Sequence, residues 1–443
     1  MNSNIHQKGF TLIETLVGTA VFVLVALSAY KAFGVLMDTV SASRAKIIAT
    51  SLANEKFEII RNLPYDDVGI VNGLPAGKIN RTQNAVSNGQ SFIIQTTIRN
   101  IDDPFDGTIG GNPSDSSPAD YKLADLDITC SNCKIFSPLK FVTLVAPHSL
   151  ETASTNGALF IRVFDSAGLP IQGASVHIEN TQTNPDTIID ETTDNDGWIK
   201  IIDAPPGINA YSISATKSGF SEDRTYPIGG IAGEDPILPD ITVVVQQVTQ
   251  TSFLIDKTSS LSVETIDSIC APLPNVNLSL TGTKINGLPS VLKYGTQNFT
   301  TNSAGNLTIE NLESDDYKMS LTGEIYDLAG INLFSFPIFT VNSDENITAQ
   351  MLLVPHVDKA LLISVKDSLE SPIDGATVQL QKVGFDETKN TNAGPCGTPG
   401  QTFWNGLSSG TYTLTVSKTG YQSSVNFIDI SGSWQSQNII LNP

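Results

Sequence analysis

The pattern of hydrophobic positions divides the chain into an apolar N-terminal segment and a long remainder with short alternating stretches. From Phe10 to Tyr30 the only ionisable side chain besides the tyrosine is that of Glu14. A helix of roughly 20 apolar residues is long enough to span a bilayer. Lys8 precedes this run and favours an N-terminus on the cytoplasmic side. The pattern therefore predicts a membrane-spanning helix at the start of the chain.

The apolar run continues into a segment with helical periodicity. Between Lys31 and Asn62, apolar residues recur at spacings of three, four and seven, until Leu63-Pro64 ends the pattern. These positions are Val35, Leu36, Val40, Ile47, Ile48, Leu52, Phe57, Ile59 and Ile60. An ordinary secretory signal would have a shorter apolar stretch followed by small residues at a cleavage site. We therefore predict one helix over residues 10–63, transmembrane in its first half.

After Pro64 the spacing of apolar residues changes from that of a helix to the alternation typical of strands. Residues 91–100, 121–129 and 140–145 alternate or carry β-branched side chains, whereas residues 102–118 form a polar segment rich in Gly, Pro and Ser. We expect a small antiparallel sheet, so that residues 64–148 form a head unit next to the helix.

The rest of the chain is repetitive. Residues 161–178 align with residues 363–380, and residues 212–220 align with residues 413–421, while a more divergent copy lies between them. Each copy reads as a series of short strands separated by turns at intervals of about ten residues, which is typical of a β-sandwich. The predicted modules span residues 158–245, 250–355 and 358–443.

Particular residues of the repeats have predicted structural roles. Glycine permits bends and positive φ angles, and tyrosine fills a core while its hydroxyl finds a partner. We expect a bend at Gly173 and Gly375, a turn with positive φ at Gly197 and Gly305, and core positions for Tyr211, Tyr317 and Tyr412.

Length and charge narrow the class of protein. The 443 residues are too many for one ordinary core. There are 25 Lys and Arg residues against 45 Asp and Glu residues, a formal net charge of −20. Such a surface repels nucleic acid, and no basic stripe offsets it, so we predict no nucleic-acid partner.

The start of the chain resembles a known processing motif. The order Lys8-Gly9-Phe10-Thr11-Leu12-Ile13-Glu14 resembles the cleavage site of type IV prepilins, and the resemblance covers residues 1–63. It implies a leader of residues 1–9, cleavage between Gly9 and Phe10 by the prepilin peptidase, and N-methylation of Phe10. It also implies that Glu14 pairs with the N-terminal amine of a neighbouring subunit and fixes its register in a filament. The alternative is a plain N-terminal anchor in which these residues coincide by accident.

The repeats resemble the carboxypeptidase regulatory-like, transthyretin-like family, most clearly in the first and third modules. This resemblance implies stalks or binding platforms of exported proteins. The predicted fold class is thus an α+β pilin-like unit, with a long hydrophobic helix and a small antiparallel sheet, followed by three all-β sandwich modules.

Four cysteines leave two questions open. Cys130 and Cys133 form a C-x-x-C at the end of a predicted strand, so a small local disulfide is the first interpretation and free thiols the second. Cys270 and Cys396 are isolated in the sequence. We take them as unpaired by default, with a bridge between modules as the alternative if those modules fold side by side.

The sequence gives no sign of catalysis or of a cofactor. It lacks H-E-x-x-H, G-x-S-x-G and P-loop motifs, and its four histidines are scattered at His6, His148, His177 and His356. Two acidic groups, Asp102/Asp103/Asp106 and Asp190/Asp194/Asp196, have a partial calcium-loop appearance. Because calcium needs six to eight oxygen ligands and the EF-hand spacing is missing, we interpret both as solvated turns and predict no metal site.

The expected function is structural. We predict a type IV pilin-like surface subunit, minor or at the tip because of its bulk, with other pilin subunits as partners and a carbohydrate or protein ligand for its β-modules. It would lie in the inner membrane before assembly and at the cell surface afterwards. The alternatives are a pseudopilin of a type II secretion or DNA-uptake system and a membrane-tethered binding protein that never polymerises.

Overall fold

The computed structural model describes residues 11–147, 153–333, 336–394 and 396–443. Within these ranges the chain forms one long α-helix, one short 3-10 turn and thirty strands. The helix and a four-stranded sheet make the head, and three β-sandwich modules follow it.

The helix α1 spans Leu12–Asn62 and begins at the N-cap Thr11. It ends at Asn62, with Leu63 as an extended C-cap, because Pro64 follows. Only its last third is buried, through Ala45, Ile48, Ala49, Ala53, Phe57 and Ile60. Five other apolar residues of the helical pattern are exposed, namely Val35, Leu36, Val40, Ile47 and Ile59.

The head sheet covers this buried face of α1. After the 3-10 turn Tyr65–Asp67 come β1 (Thr82–Ser87), β2 (Gln90–Ile101), β3 (Tyr121–Cys130) and β4 (Leu139–Val145), all antiparallel and in sequence order. Alternate residues of the two central strands point at the helix and form one core with it. The polar segment of residues 102–118 forms the loop between β2 and β3.

The first module is a sandwich of two sheets. Its strands are β5 (Gly157–Phe164), β6 (Ser175–Asn180), β7 (Thr187–Thr192), β8 (Trp198–Ala204), β9 (Gly207–Thr216), β10 (Asp223–Arg224), β11 (Asp235–Pro236), β12 (Ile241–Val243) and β13 (Val248–Leu254). One sheet has the order β13-β5-β8, and the other has the order β10-β9-β6-β7 with β12 beside β9. Since β13 pairs with β5, the first module extends to Leu254, beyond the expected end at residue 245.

The second and third modules repeat this plan. The second contains β14 (Ser259–Ile266), β15 (Asn277–Gly282), β16 (Ile285–Leu288), β17 (Val291–Leu292), β18 (Gln297–Thr300), β19 (Asn306–Leu312), β20 (Asp315–Leu321), β21 (Tyr326–Ile331), β22 (Ile338–Val341) and β23 (Asn346–Pro355). The third contains β24 (Ala360–Lys366), β25 (Thr377–Lys382), β26 (Phe385–Asn390), β27 (Gln401–Asn405), β28 (Gly410–Ser417), β29 (Ser424–Ile430) and β30 (Trp434–Ile440).

The three modules share a strand arrangement and a buried tyrosine. In each, the first and last strands are parallel neighbours: β5 with β13, β14 with β23, and β24 with β30. Tyr211, Tyr317 and Tyr412 are at most 1% exposed. Each hydroxyl donates to a carbonyl a few residues upstream, and burial raises the pKa of Tyr211 to about 12. The turn glycines Gly197 and Gly305 have φ angles of 75° and 73°, which favour glycine.

Candidate functional site

The carboxylate of Glu14, in the first turn of α1, lies in a local hydrogen-bond network. Glu14 Oε2 accepts from the backbone N–H of Thr11 at 2.9 Å and from Thr11 Oγ1 at 2.8 Å. The backbone N–H of Glu14 donates back to Thr11 Oγ1 at 3.3 Å, which completes a capping box. Gly9 and Phe10 lie outside the described residues, so their assigned roles stay predictions.

The first part of α1 is an apolar surface that no other described part of the chain covers. The helix is long and apolar enough to cross a membrane, and none of the residues in its apolar stretch of 18 residues is buried. Leu16, Phe22 and Leu24 are 63%, 72% and 66% exposed. Contiguous apolar surface of this extent marks a contact with lipid or protein. This segment can therefore insert into a bilayer or pack against other helices.

The second part of α1 is fixed to the head. Lys134 Nζ lies 2.8 Å from Asp38 Oδ1, and Arg61 Nη2 donates to Thr143 Oγ1 at 2.6 Å. With the helix held at both places, the exposed apolar segment and the head have a set direction relative to each other.

Cys130 and Cys133 form a disulfide at the end of β3. Both cysteines pack against the head core together with Phe136, whose ring lies 5.9 Å from that of Phe92. The C-x-x-C therefore closes the turn between β3 and β4 over the core. No free cysteine is found among the described residues.

The head and the first module meet at a polar junction. Arg81 pairs with Asp190, and its Nη2 donates to the carbonyl of Ile188 at 2.5 Å. The carboxylate of Glu191 lies 3.9 Å from Arg99, and burial raises the pKa of this glutamate although Arg99 opposes the shift. Asp190, which the sequence grouped with acidic turn residues, thus contributes to the junction instead.

Three aspartates of the loop between β2 and β3 converge in a way that spacing did not predict. Asp106, Asp115 and Asp120 each bring a carboxylate oxygen within 4.8 Å of the others. Burial, together with repulsion from neighbouring carboxylates, raises the pKa of Asp102 and Asp120. The sequence grouping of Asp102 and Asp106 missed Asp115 and Asp120, because the loop has to fold back to bring them near.

The first and second modules are joined by a small shared sheet. Strand β11 pairs with β16, so that residues of both modules belong to the sheet β11-β16-β17. The backbone N–H of Ile237 donates to the carbonyl of Asn286 at 2.8 Å, and Asn286 Nδ2 donates to the Tyr226 hydroxyl at 2.9 Å. This junction limits rotation between the two modules.

The second and third modules are joined covalently. Cys270 and Cys396 form a disulfide, which corrects the default expectation that both are unpaired. Gln401 Oε1 accepts from the backbone N–H of Ile331 at 2.8 Å, and Trp434 Nε1 donates to the carbonyl of Leu328 at 2.9 Å. The two modules therefore lie side by side, as the bridge between them requires.

Comparison with known proteins identifies the start of the chain. Residues 4–30 match the family model described as the prokaryotic N-terminal methylation motif. The match includes Gly9, Phe10 and Glu14 and confirms the prepilin-type resemblance of this segment. No curated protein matches the sequence.

Solved structures of low similarity include several pilins. The Bacillus anthracis TIE protein is 14% identical, with 82% of this chain and 61% of that chain covered and a TM-score of 0.20. GBS52, the minor pilin of Streptococcus agalactiae, is 14% identical over 45% of this chain and 98% of its own, with a TM-score of 0.22. BcpA, the major pilin subunit of Bacillus cereus, is 14% identical, with 65% of this chain and 99% of that chain covered and a TM-score of 0.16. TM-scores this low carry no argument about the assembly of this chain.

Proposed function

We propose that the chain is a minor or tip subunit of a type IV pilus-like filament. It is made as a precursor with a leader of residues 1–9, cut between Gly9 and Phe10 by the prepilin peptidase, and methylated at Phe10. One observation supports the proposal above the others: the helix that carries the methylation motif exposes an unbroken apolar surface with a single carboxylate, Glu14, in its first turn.

The hydrogen bonds of Glu14 suggest how assembly sets the register. In the free subunit Thr11 satisfies the carboxylate locally. When the helix moves from the membrane into a bundle of like helices, the carboxylate is surrounded by apolar side chains and needs an opposite charge. Cleavage after Gly9 creates such a charge, the amine of Phe10 on a neighbouring subunit. Pairing of the two groups fixes the axial position of each helix.

The three β-modules are the part of the subunit that the filament displays to its surroundings. The junctions between the head and the modules hold the described units in a defined arrangement, with the third module last in the chain. A filament built only of this subunit would carry a three-module appendage at every position, which favours a minor or tip place. The modules then present a surface to a carbohydrate or protein ligand.

The test replaces the carboxylate without changing its shape. Glu14→Gln leaves the Phe10 amine without a counter-charge among packed helices, at a cost of about 3 kcal/mol or more. We expect normal membrane insertion and cleavage, with at least tenfold less subunit in sheared filaments, a margin that corresponds to about 1.4 kcal/mol. Glu55→Gln, at an exposed position on the same helix, is the matched control. Unchanged incorporation of Glu14→Gln would contradict the role of this carboxylate in assembly, whereas absence of the wild type from filaments would favour a tether that does not polymerise.

A further inference from the structure

A cavity of about 420 Å³ lies between the second and third modules. Its walls come from β20, from β21 and from the start of β30. Small-molecule sites typically have volumes of about 300–1,000 Å³ and occur preferentially where domains meet. The cavity therefore has the size and the position of a ligand site.

Three aromatic rings give the cavity an apolar side. Tyr326, Phe336 and Trp434 all line it. The Trp434 indole is held by its hydrogen bond to the Leu328 carbonyl, and its ring stands at 87° to that of Phe336 with centroids 6.5 Å apart. Because the indole N–H is already bonded, the ring offers its face and edges to a ligand. The hydrogen bond between Trp434 and Leu328 joins the wall from the third module to the wall from the second, so the cavity exists before any ligand arrives.

The polar side of the cavity is built around a histidine. His356 Nδ1 lies 2.8 Å from Asp327 Oδ1, and the other oxygen of this carboxylate accepts from the backbone N–H of Val357 at 3.0 Å. Asp327 is 3% exposed and the imidazole is 23% exposed. No hydrogen bond to Nε2 is found among the described residues, so this nitrogen is available to a ligand in the cavity. The hydrogen bond that the imidazole donates to the Asp327 carboxylate raises the pKa of His356.

The free charges at the cavity are of both signs. Lys318 and Glu324 line it, and the Asp327 carboxylate is engaged by His356 and by the backbone N–H of Val357. A cationic ligand would meet the Lys318 ammonium, and an anionic ligand would meet the Glu324 carboxylate. The lining therefore suits a neutral ligand that has both an apolar face and several hydrogen-bonding groups.

We propose that this cavity binds one pyranose residue of a neutral saccharide. A pyranose has a C–H face that packs on aromatic rings and hydroxyls that reach His356 Nε2, Glu324 and the rim at Ser433. The inference rests on the proposed function, because it names the ligand class of the displayed modules. The saccharide would thus be recognised at the junction of the second and third modules and not by the loops of a single module.

The experiment uses the full chain in lipid nanodiscs, so that no glycoside detergent competes. The probes are the methyl glycosides of glucose, galactose, mannose and N-acetylglucosamine, titrated by saturation-transfer NMR. Ser433→Trp fills the rim, and His356→Gln moves the polar group while it can still bond to Asp327. Phe427→Ala removes an aromatic ring that is 78% exposed on β29 and does not line the cavity.

We expect saturable binding of at least one glycoside, a loss of at least tenfold in affinity for Ser433→Trp and His356→Gln, and no change for Phe427→Ala. Absence of saturable binding to the wild type, or wild-type affinity in Ser433→Trp, would overturn the inference. So would binding of tetramethylammonium, in place of the glycosides, that Ser433→Trp abolishes.

Filament incorporation separates the two proposals. Ser433→Trp should enter filaments as the wild type does, because Ser433 lies in the third module, and Glu14→Gln should bind the glycoside normally. Normal incorporation without glycoside binding would contradict only the saccharide site. Glycoside binding by a wild-type chain that never enters a filament would contradict only the pilus role.

Discussion

Cys270 and Cys396 are 126 residues apart in the sequence, yet their Cα atoms lie 5.3 Å apart in the disulfide that joins the second module to the third. The contact is not confined to the two sulfurs. Leu362 of the third module belongs to the buried cluster of the second module. The two sandwiches are therefore packed against each other and covalently joined, and the cavity between them depends on this packing.

Removal of this disulfide should loosen the junction between the two modules. A cross-link that closes a loop of more than a hundred residues stabilises the folded state by about 4 kcal/mol, mainly by restricting the unfolded chain. We expect Cys270→Ser/Cys396→Ser to speed hydrogen exchange of the amides of β21 and β27. Cys130→Ser/Cys133→Ser, whose loop spans only three positions, is the matched control and should leave these amides unchanged. Equal exchange in both double variants would refute the role of the bridge.

Two adjacent isoleucines test how α1 is held on the head. Ile60 is 2% exposed and belongs to the head core, whereas Ile59 is 48% exposed. Ile60→Ala should destabilise the head by about 2–5 kcal/mol, since it leaves a cavity, and Ile59→Ala should change stability by less than about 0.5 kcal/mol. Hydrogen exchange of the β3 amides reports on the head alone. Similar effects of the two changes would mean that α1 does not pack on the sheet by this face.

Glu191 gives the junction of the head and first module a pH dependence. Burial raises the pKa of this carboxyl above its usual value of 4.5 in the folded chain. The folded state then binds the proton more tightly than the unfolded state, so the stability contributed by protonated Glu191 is full below about pH 4.5 and is lost as the pH rises through the raised value.

Comparison with Glu191→Gln isolates this contribution from that of other acidic groups. The free energy of unfolding of the wild type minus that of the variant should fall as the pH rises from about 4 to about 7, because only the wild type gains a buried charge. Thermal unfolding at a series of pH values measures it, and Glu222→Gln, at an exposed position of the same module, is the matched control. A pH-independent difference would contradict the burial of this charge.

Much of the fold follows from local patterns. The end of α1 at Asn62 follows from Pro64, and the buried tyrosines and turn glycines of the modules follow from the alignment of their repeats. Boundaries were less predictable: β13 pairs in parallel with β5, a long-range contact that strand periodicity does not encode.

Sequence patterns could not predict how the helix packs on the head sheet or how the modules contact each other. The buried stripe of α1 contains Ala45, Ala49 and Ala53, which look neutral in a hydrophobic pattern and matter only because they let the sheet approach closely. Likewise, Trp434 and His356 are far apart in the sequence, and only the meeting of two modules brings them to one cavity. A lone tryptophan or histidine gives no signal of this kind.

The N-terminus of the assembled protein gives the most direct test of the proposed pilin role. Filaments are sheared from cells, and the N-terminal peptide of this chain is identified by mass spectrometry. We predict a chain that begins at Phe10, carries one methyl group on its amine and is recovered in the filament fraction. A chain that retains residues 1–9, or a mature chain found only in the membrane fraction, would contradict it.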